Sequence, residues 1–169
     1  GIGATTHNQF VDFWIRGKDT DWVEDDQITV YNADGTVDCS VTGGARLRGN
    51  TSQVYPKKPF ALKFTEKKSV LGMPKHKRWV LLANWLDHSM IRNTVAFDIA
   101  QSIEKAWREN GSIEAGVPWN VHGKNVELIV VDKDGDAHHV GNYLLCEQIK
   151  IDENRLNISK PYEDGGNGY

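Results

Sequence analysis

The chain has 169 residues, 39% of them hydrophobic, which is enough to bury one core and most simply forms a single domain over 1–169. A net charge of −3 and a pI near 6.1 argue against nucleic acid as a partner. No apolar run approaches the roughly 20 residues needed to span a bilayer. Cys39 and Cys146 are too few for a disulfide framework and lack metal-knuckle spacing. Cys146 closes the apolar run Tyr143-Leu144-Leu145, so a buried thiol is expected there. No secretory signal is visible, and a start without Met is read as a processed chain, so location stays open.

Phe10 to Ile15 is apolar and β-prone, and Gly17 breaks it. Ile28 to Tyr31 and Val37 to Val41 flank Asn32-Ala33-Asp34-Gly35, a hairpin signature. A third strand is expected at Ala45 to Arg48, followed by a Gly-Asn-Thr-Ser turn. Phe60 to Phe64 alternates, with Phe60, Leu62 and Phe64 on one face and Ala61 and Lys63 on the other. Trp79 to Ala83 is a short buried segment. A helix is predicted from about Ser89 to Asn110, capped by Ser89 or Asp87 and stopped by Asn110-Gly111. Ile91, Val95, Ile99, Ile103 and Trp107 recur every four residues, which predicts a core-facing stripe. Asp98 falls within about 20° of Ile91 on the helical wheel, so a carboxylate on that face needs a partner. A second hairpin follows, Val126 to Val131 and Val140 to Ile149 around Asp132 to Asp136. The tail from Ser159 shows no core pattern. The expected class is α+β, a mainly antiparallel sheet with one long helix packed across it.

Charge is uneven along this framework. Between Arg46 and Arg78 stand ten Lys or Arg and one acid, Glu66, so this hairpin region holds about +9 within an acidic chain. Such a concentration suits a phosphate chain. Arg48 and Asn50 lie at a strand-to-turn junction, where a guanidinium and backbone N–H groups can grip phosphate.

Three blocks then stand in order: Arg48-Gly49-Asn50-Thr51-Ser52 leading through Lys57-Lys58-Pro59-Phe60 to Leu62-Lys63-Phe64; Trp79-Val80-Leu81-Leu82-Ala83-Asn84-Trp85-Leu86-Asp87 with Arg92-Asn93 and Ala96 to Ala100; and Val126-Glu127-Leu128 with Gly141 to Lys150 and Arg155 to Ile158. Together they resemble the spore-coat protein H (CotH) family, whose members look like atypical, secreted or coat-associated protein kinases. The resemblance implies the amino-terminal lobe of a kinase over 1–158, with 159–169 leading into a missing carboxy-terminal part. It implies ATP with magnesium as the bound nucleotide, and a protein substrate or a surface or coat protein as partner. It also implies an extracellular, cell-surface or spore-coat setting.

Within that resemblance Ala61-Leu62-Lys63 is similar to the kinase strand whose lysine holds nucleotide phosphates, and Asp98 is the candidate acid that fixes it. Arg48 and Asn50 would border the phosphates, and Glu147 would stand at the hinge beside the base. Asp87, Arg92 and Asn93 would support the site. The chain departs from a kinase in lacking a G-x-G-x-x-G loop, an H-R-D and a D-F-G. No catalytic residue or magnesium ligand is therefore assigned within it, and it is expected to be inactive alone.

Asp132-x-Asp134-Gly135-Asp136 lacks the Gly and Glu spacing of a calcium loop, and vicinal His138-His139 would point to opposite faces of a strand, so no metal site is expected. Of six tryptophans, Trp22 and Trp119 lie in loops where exposure is open to them, which keeps a carbohydrate-binding β-module open. A noncatalytic interaction module of a surface or coat is the other alternative.

Overall fold

The computed structural model describes residues 2–6, 21–111 and 119–158. The expected strand at Phe10–Ile15 and the tail from Ser159 lie outside the described residues. Among the described residues are seven strands and one long helix: β1 (Ile2–Thr6), β2 (Val23–Tyr31), β3 (Val37–Leu47), β4 (Phe60–Val70), β5 (Met73–Leu82), α1 (Arg92–Glu109), β6 (Gly123–Val131) and β7 (Ala137–Glu147). The strands curl in the order β1-β2-β3-β4-β5-β7-β6, and β1 meets β6 in parallel to close the ring. Every other pairing is antiparallel. The mainly antiparallel sheet with one helix is therefore as the sequence indicated.

Turn chemistry explains both expected hairpins. Gly35 has φ +85°, and Asp34 Oδ1 accepts hydrogen bonds from the Thr36 amide and hydroxyl. Gly135 has φ +87°, and Asp132 Oδ1 accepts the amides of Asp134 and Asp136. That carboxylate is committed to the turn and to His138, 2.9 Å away. The strands are longer than the alternating segments showed, with Val37 to Leu47 forming one strand rather than two. Asp25, at φ +67°, marks an irregularity in the β2–β3 register that leaves both Val23 and Asp26 pointing inward.

Side chains of alternate parity fill the ring. Phe60, Leu62 and Phe64 of β4, Trp79 and Leu81 of β5, Val126, Leu128 and Val130 of β6, and Tyr143 and Leu145 of β7 are all buried together. Glu147 lies opposite Trp79 and shares its inward face. There it meets Arg155 in a fully buried ion pair, and the guanidinium stacks 4.6 Å over the Trp79 ring. The segment after β7 is thus pinned to the ring by this buried pair and, at the surface, by Lys67 with Asp152 at 3.1 Å.

The helix corrects the sequence reading. Ile91, Val95, Ile99, Ile103 and Trp107 were expected to face the core, yet they are between 43% and 53% exposed. At 100° per residue Thr94, Phe97, Gln101 and Glu104 fall within about 80° of one another, on roughly the opposite side of the helix. That second face meets the sheet. Phe97 packs against Val80, Leu144 and Cys146, which point outward from the ring. Gln101 donates to the Val121 carbonyl at 2.9 Å, and Thr94 approaches Asn125 at 3.4 Å. Among the described residues this small apolar patch, with Leu82 and Val121 beside it, is what the outer surface offers the helix, so one aromatic side chain and a few hydrogen bonds dock it. Burial beneath it pushes the Cys146 thiol up to about 12.

Candidate functional site

Between the β3–β4 connection and the segment joining β5 to α1 lies a cleft of about 300 Å³. Arg48, Ser52, Tyr55, Lys57 and Pro59 line one wall, and Leu82 to Asp87 with Asn93 line the other. Gly49 makes the first wall possible. Its φ is +87°, and a Cβ there would stand 2.0 Å from Ser52 Oγ. Thr51–Val54 then forms one 3-10 turn, and the chain returns so that the Arg48 amide donates to the Pro59 carbonyl at 3.2 Å.

The second wall is a tight loop built by two polar residues. Asn84 adopts φ +49°, tolerable because its amide is used locally. Its Oδ1 accepts from Asn93 Nδ2 at 2.8 Å, and its Nδ2 donates to the Met90 carbonyl. Asp87 Oδ1 accepts from the Ser89 amide and hydroxyl, and its Oδ2 accepts the Arg92 amide at 2.9 Å. Asp87 therefore caps α1 from upstream. Its hydrogen bonds, the Ser89 hydroxyl first, hold its carboxyl below the ordinary range.

Two cations reach the cleft. Lys57 is 8% exposed, with its ammonium 4.5 Å over the Tyr143 ring and donating to the Asn142 carbonyl. Burial lowers its pKa, and the nearby Glu127 charge opposes that shift. Arg48 is half-buried, and among the described residues its side chain has no acidic partner. Because Asp87 is spent on the loop, the uncompensated charge facing the cleft is positive. Such a lining suits an anion.

The candidate residues are divided by the fold. Arg48, Asp87 and Asn93 meet in the cleft, and Arg92 stands beside it through Asp87 with its side chain largely in solvent. Asn50 is exposed, and its carbonyl accepts the Gln53 amide to start the 3-10 turn. Lys63 lies elsewhere, on the outer face of β4, with Glu24 as its carboxylate partner at 3.3 Å. Asp98 is exposed on α1, so the Lys63–Asp98 pair is not formed. Glu147 is buried in the ring, accepting from Trp119 Nε1 at 3.1 Å and the His122 amide at 2.9 Å besides its pairing with Arg155. Lys57, Glu24 and Arg155 escaped the sequence reading as site or core residues. Lys57 sits in an irregular connection, where no periodicity reports burial.

A curled antiparallel ring with one positively lined cleft defines a small β-rich domain. Residues 45–167 match the family model described as CotH kinase protein, and the chain belongs to that family. A comparison with individually curated proteins finds no match.

Proposed function

We propose that this chain is the nucleotide-binding part of a CotH-type protein kinase, acting on protein Ser or Thr in the full-length parent. The carrying observation is where the motifs meet. The first two blocks of the family resemblance, separate in sequence, form the two walls of one cleft whose free charge is positive. The third block closes it from below, since Lys57 rests on Asn142 and Tyr143. In this reading Arg48 and Lys57 take the phosphates of ATP, and the exposed rim side chains Trp85 and Leu86 offer apolar surface to the base. Lys57 replaces Lys63 as the phosphate lysine because it lines the cleft and Lys63 does not. The magnesium that accompanies ATP finds no group of three acidic or histidine side chains among the described residues, so its ligands are assigned to the parent beyond them. Membership of the family supports a coat or surface setting.

Titration with a fluorescent ATP analogue tests the assignment. Arg48→Ala and Lys57→Met should each weaken binding about tenfold or more, the loss expected of a charged hydrogen bond, while Lys63→Met leaves it unchanged. The opposite pattern would move the nucleotide to the outer face of β4. Radiolabelled-phosphate transfer by the parent, wild type beside Lys57→Met, then separates kinase from scaffold.

One observation favours the noncatalytic interaction module as second reading: the apolar face of α1 is uncovered among the described residues. The carbohydrate-binding reading loses its support. Trp119 is half-buried and bonded to Glu147, and the Trp22 ring is flanked by cations.

A further inference from the structure

On the outer face of β3, β4 and β5, three cations surround one indole. The Cζ atoms of Arg46 and Arg78 lie 4.8 and 4.9 Å from the Trp22 ring centroid, and Lys63 Nζ lies 5.8 Å from it. Sheet register puts them there. Lys63 stands opposite Gly44 on one side and Arg78 on the other, and Arg46 follows two residues along β3, so all three project from the same face. Gly44 brings the indole in. A Cβ at that position would stand 2.6 Å from the Val23 carbonyl, so its bare backbone lets the start of β2 cross close over the sheet. Trp22 and Glu24 arrive with it.

Among the described residues only one carboxylate, Glu24, pairs with these charges. Glu24 pairs with Lys63 at 3.3 Å, both side chains being about half exposed. Among the described residues neither Arg46 nor Arg78 has a carboxylate or carbonyl acceptor, and Arg46 Nε is buried without a hydrogen bond. Gathering like charges costs energy, and stacking on the half-buried Trp22 indole returns only about 0.5–2 kcal/mol per cation. Two guanidinium forks are thus held in place by an aromatic ring, with their N–H donors left for water or a ligand.

We propose that Arg46, Lys63 and Arg78 around Trp22 form a binding site for a phosphate monoester carried on a protein segment, such as phosphoserine, separate from the cleft. The net charge of the group after Glu24 is +2, which matches the roughly −1.5 to −2 of a phosphate monoester and exceeds that of a single carboxylate. Guanidinium forks favour the tetrahedral oxyanion because each can donate two parallel hydrogen bonds. The site goes beyond the nucleotide reading and does not depend on it.

Calorimetry at about 50 mM salt tests it, with a phosphoserine dodecapeptide, the same peptide bearing serine, and inorganic phosphate as probes; Trp fluorescence of wild type and Trp22→Phe reports the position. The phosphopeptide should bind at least tenfold more tightly than either other probe and change the emission only when Trp22 is present. Arg78→Ala should weaken it tenfold or more, Arg46→Lys by less, and Lys133→Ala, which removes an equal charge in the distant β6–β7 turn, not at all. Equal affinity for the two peptides, or an unaffected Arg78→Ala with an unchanged melting curve, overturns the site. Inorganic phosphate binding as tightly as the peptide overturns the protein-borne source. Displacement of the peptide by a non-hydrolysable ATP analogue overturns its separation from the cleft.

Discussion

The inside of the barrel and the outward face of α1 both carry regular apolar residues, and only the first is covered. Along β4, β5 and β7 the repeat is two, and the inward residues from neighbouring strands meet one another across a closed ring. Along α1 the repeat is four, and no strand rises to meet it among the described residues. The difference lies in what surrounds each element. A curled sheet supplies its own opposite wall, whereas a lone helix on the outer surface touches only what that surface offers. Here the surface offers Val80, Leu144 and Cys146, a patch that one phenylalanine fills.

The largest expected effect breaks the covered side. Trp79 is 0% exposed and also supports the Arg155 guanidinium. Trp79→Ala should cost about 3–5 kcal/mol in urea unfolding, the range for deleting a large buried ring. A loss below about 1 kcal/mol would show that the barrel interior is not the core.

A second test uses the one inward carboxylic acid of β2. Burial first, and the Asp25 charge second, push the Asp26 carboxyl up to about 7. A raised pKa means that the folded chain holds this proton where the unfolded chain has released it. Stability from this group is therefore greatest at about pH 4 and declines as pH rises through about 7. The full span is at most about 4 kcal/mol by linkage. Asp26→Asn, which carries no proton to lose, should flatten that decline. A wild-type stability that rises between pH 4 and 7 would contradict it. Asp87→Ala, removing the acceptor for the Arg92 and Ser89 amides, should cost about 1 kcal/mol and loosen the cleft wall.

Strand existence and hairpin turns were legible because they are local. Asn32 to Gly35 and Asp132 to Asp136 carry their own hydrogen-bonding side chains, and the Phe60 to Phe64 alternation needs only a strand with one covered face. The family likeness was legible too, since it rests on ordered residues rather than on their contacts. The site was legible only in part. Arg48, Asp87 and Asn93 belong to the cleft, but Lys63 and Asp98 were joined on a kinase pattern that the register does not reproduce. Lys63 points outward, and Glu24 reaches it because Gly44 lets β2 cross nearby, a long-range consequence of one missing side chain. Nothing in the spacing of Lys57 indicates that Tyr143, far along the chain, will cover it. The direction of α1 was misread for a similar reason. Periodicity states which residues share a face and is silent on which face finds a neighbour.

The smallest expected effect sharpens that last point within two residues. Phe97 and Ile99 are about 200° apart on the helix, so they sample its docked and undocked sides at nearly the same height. Phe97 touches the outer patch of the sheet, whereas Ile99 is 53% exposed. Serine and isoleucine have similar helix propensities, so a serine at either place tests burial rather than helix formation. Phe97→Ser should lower stability by about 1–3 kcal/mol, in line with exposing a partly buried aromatic. Ile99→Ser should stay within about 0.5 kcal/mol, the usual scatter for a surface change. Its other effect should be on solubility: an uncovered apolar stripe drives association, so Ile99→Ser should reduce any concentration-dependent aggregation seen by light scattering. Equal large losses at both positions would mean that the stripe is covered in the folded protein, and the contrast between barrel and helix would then collapse.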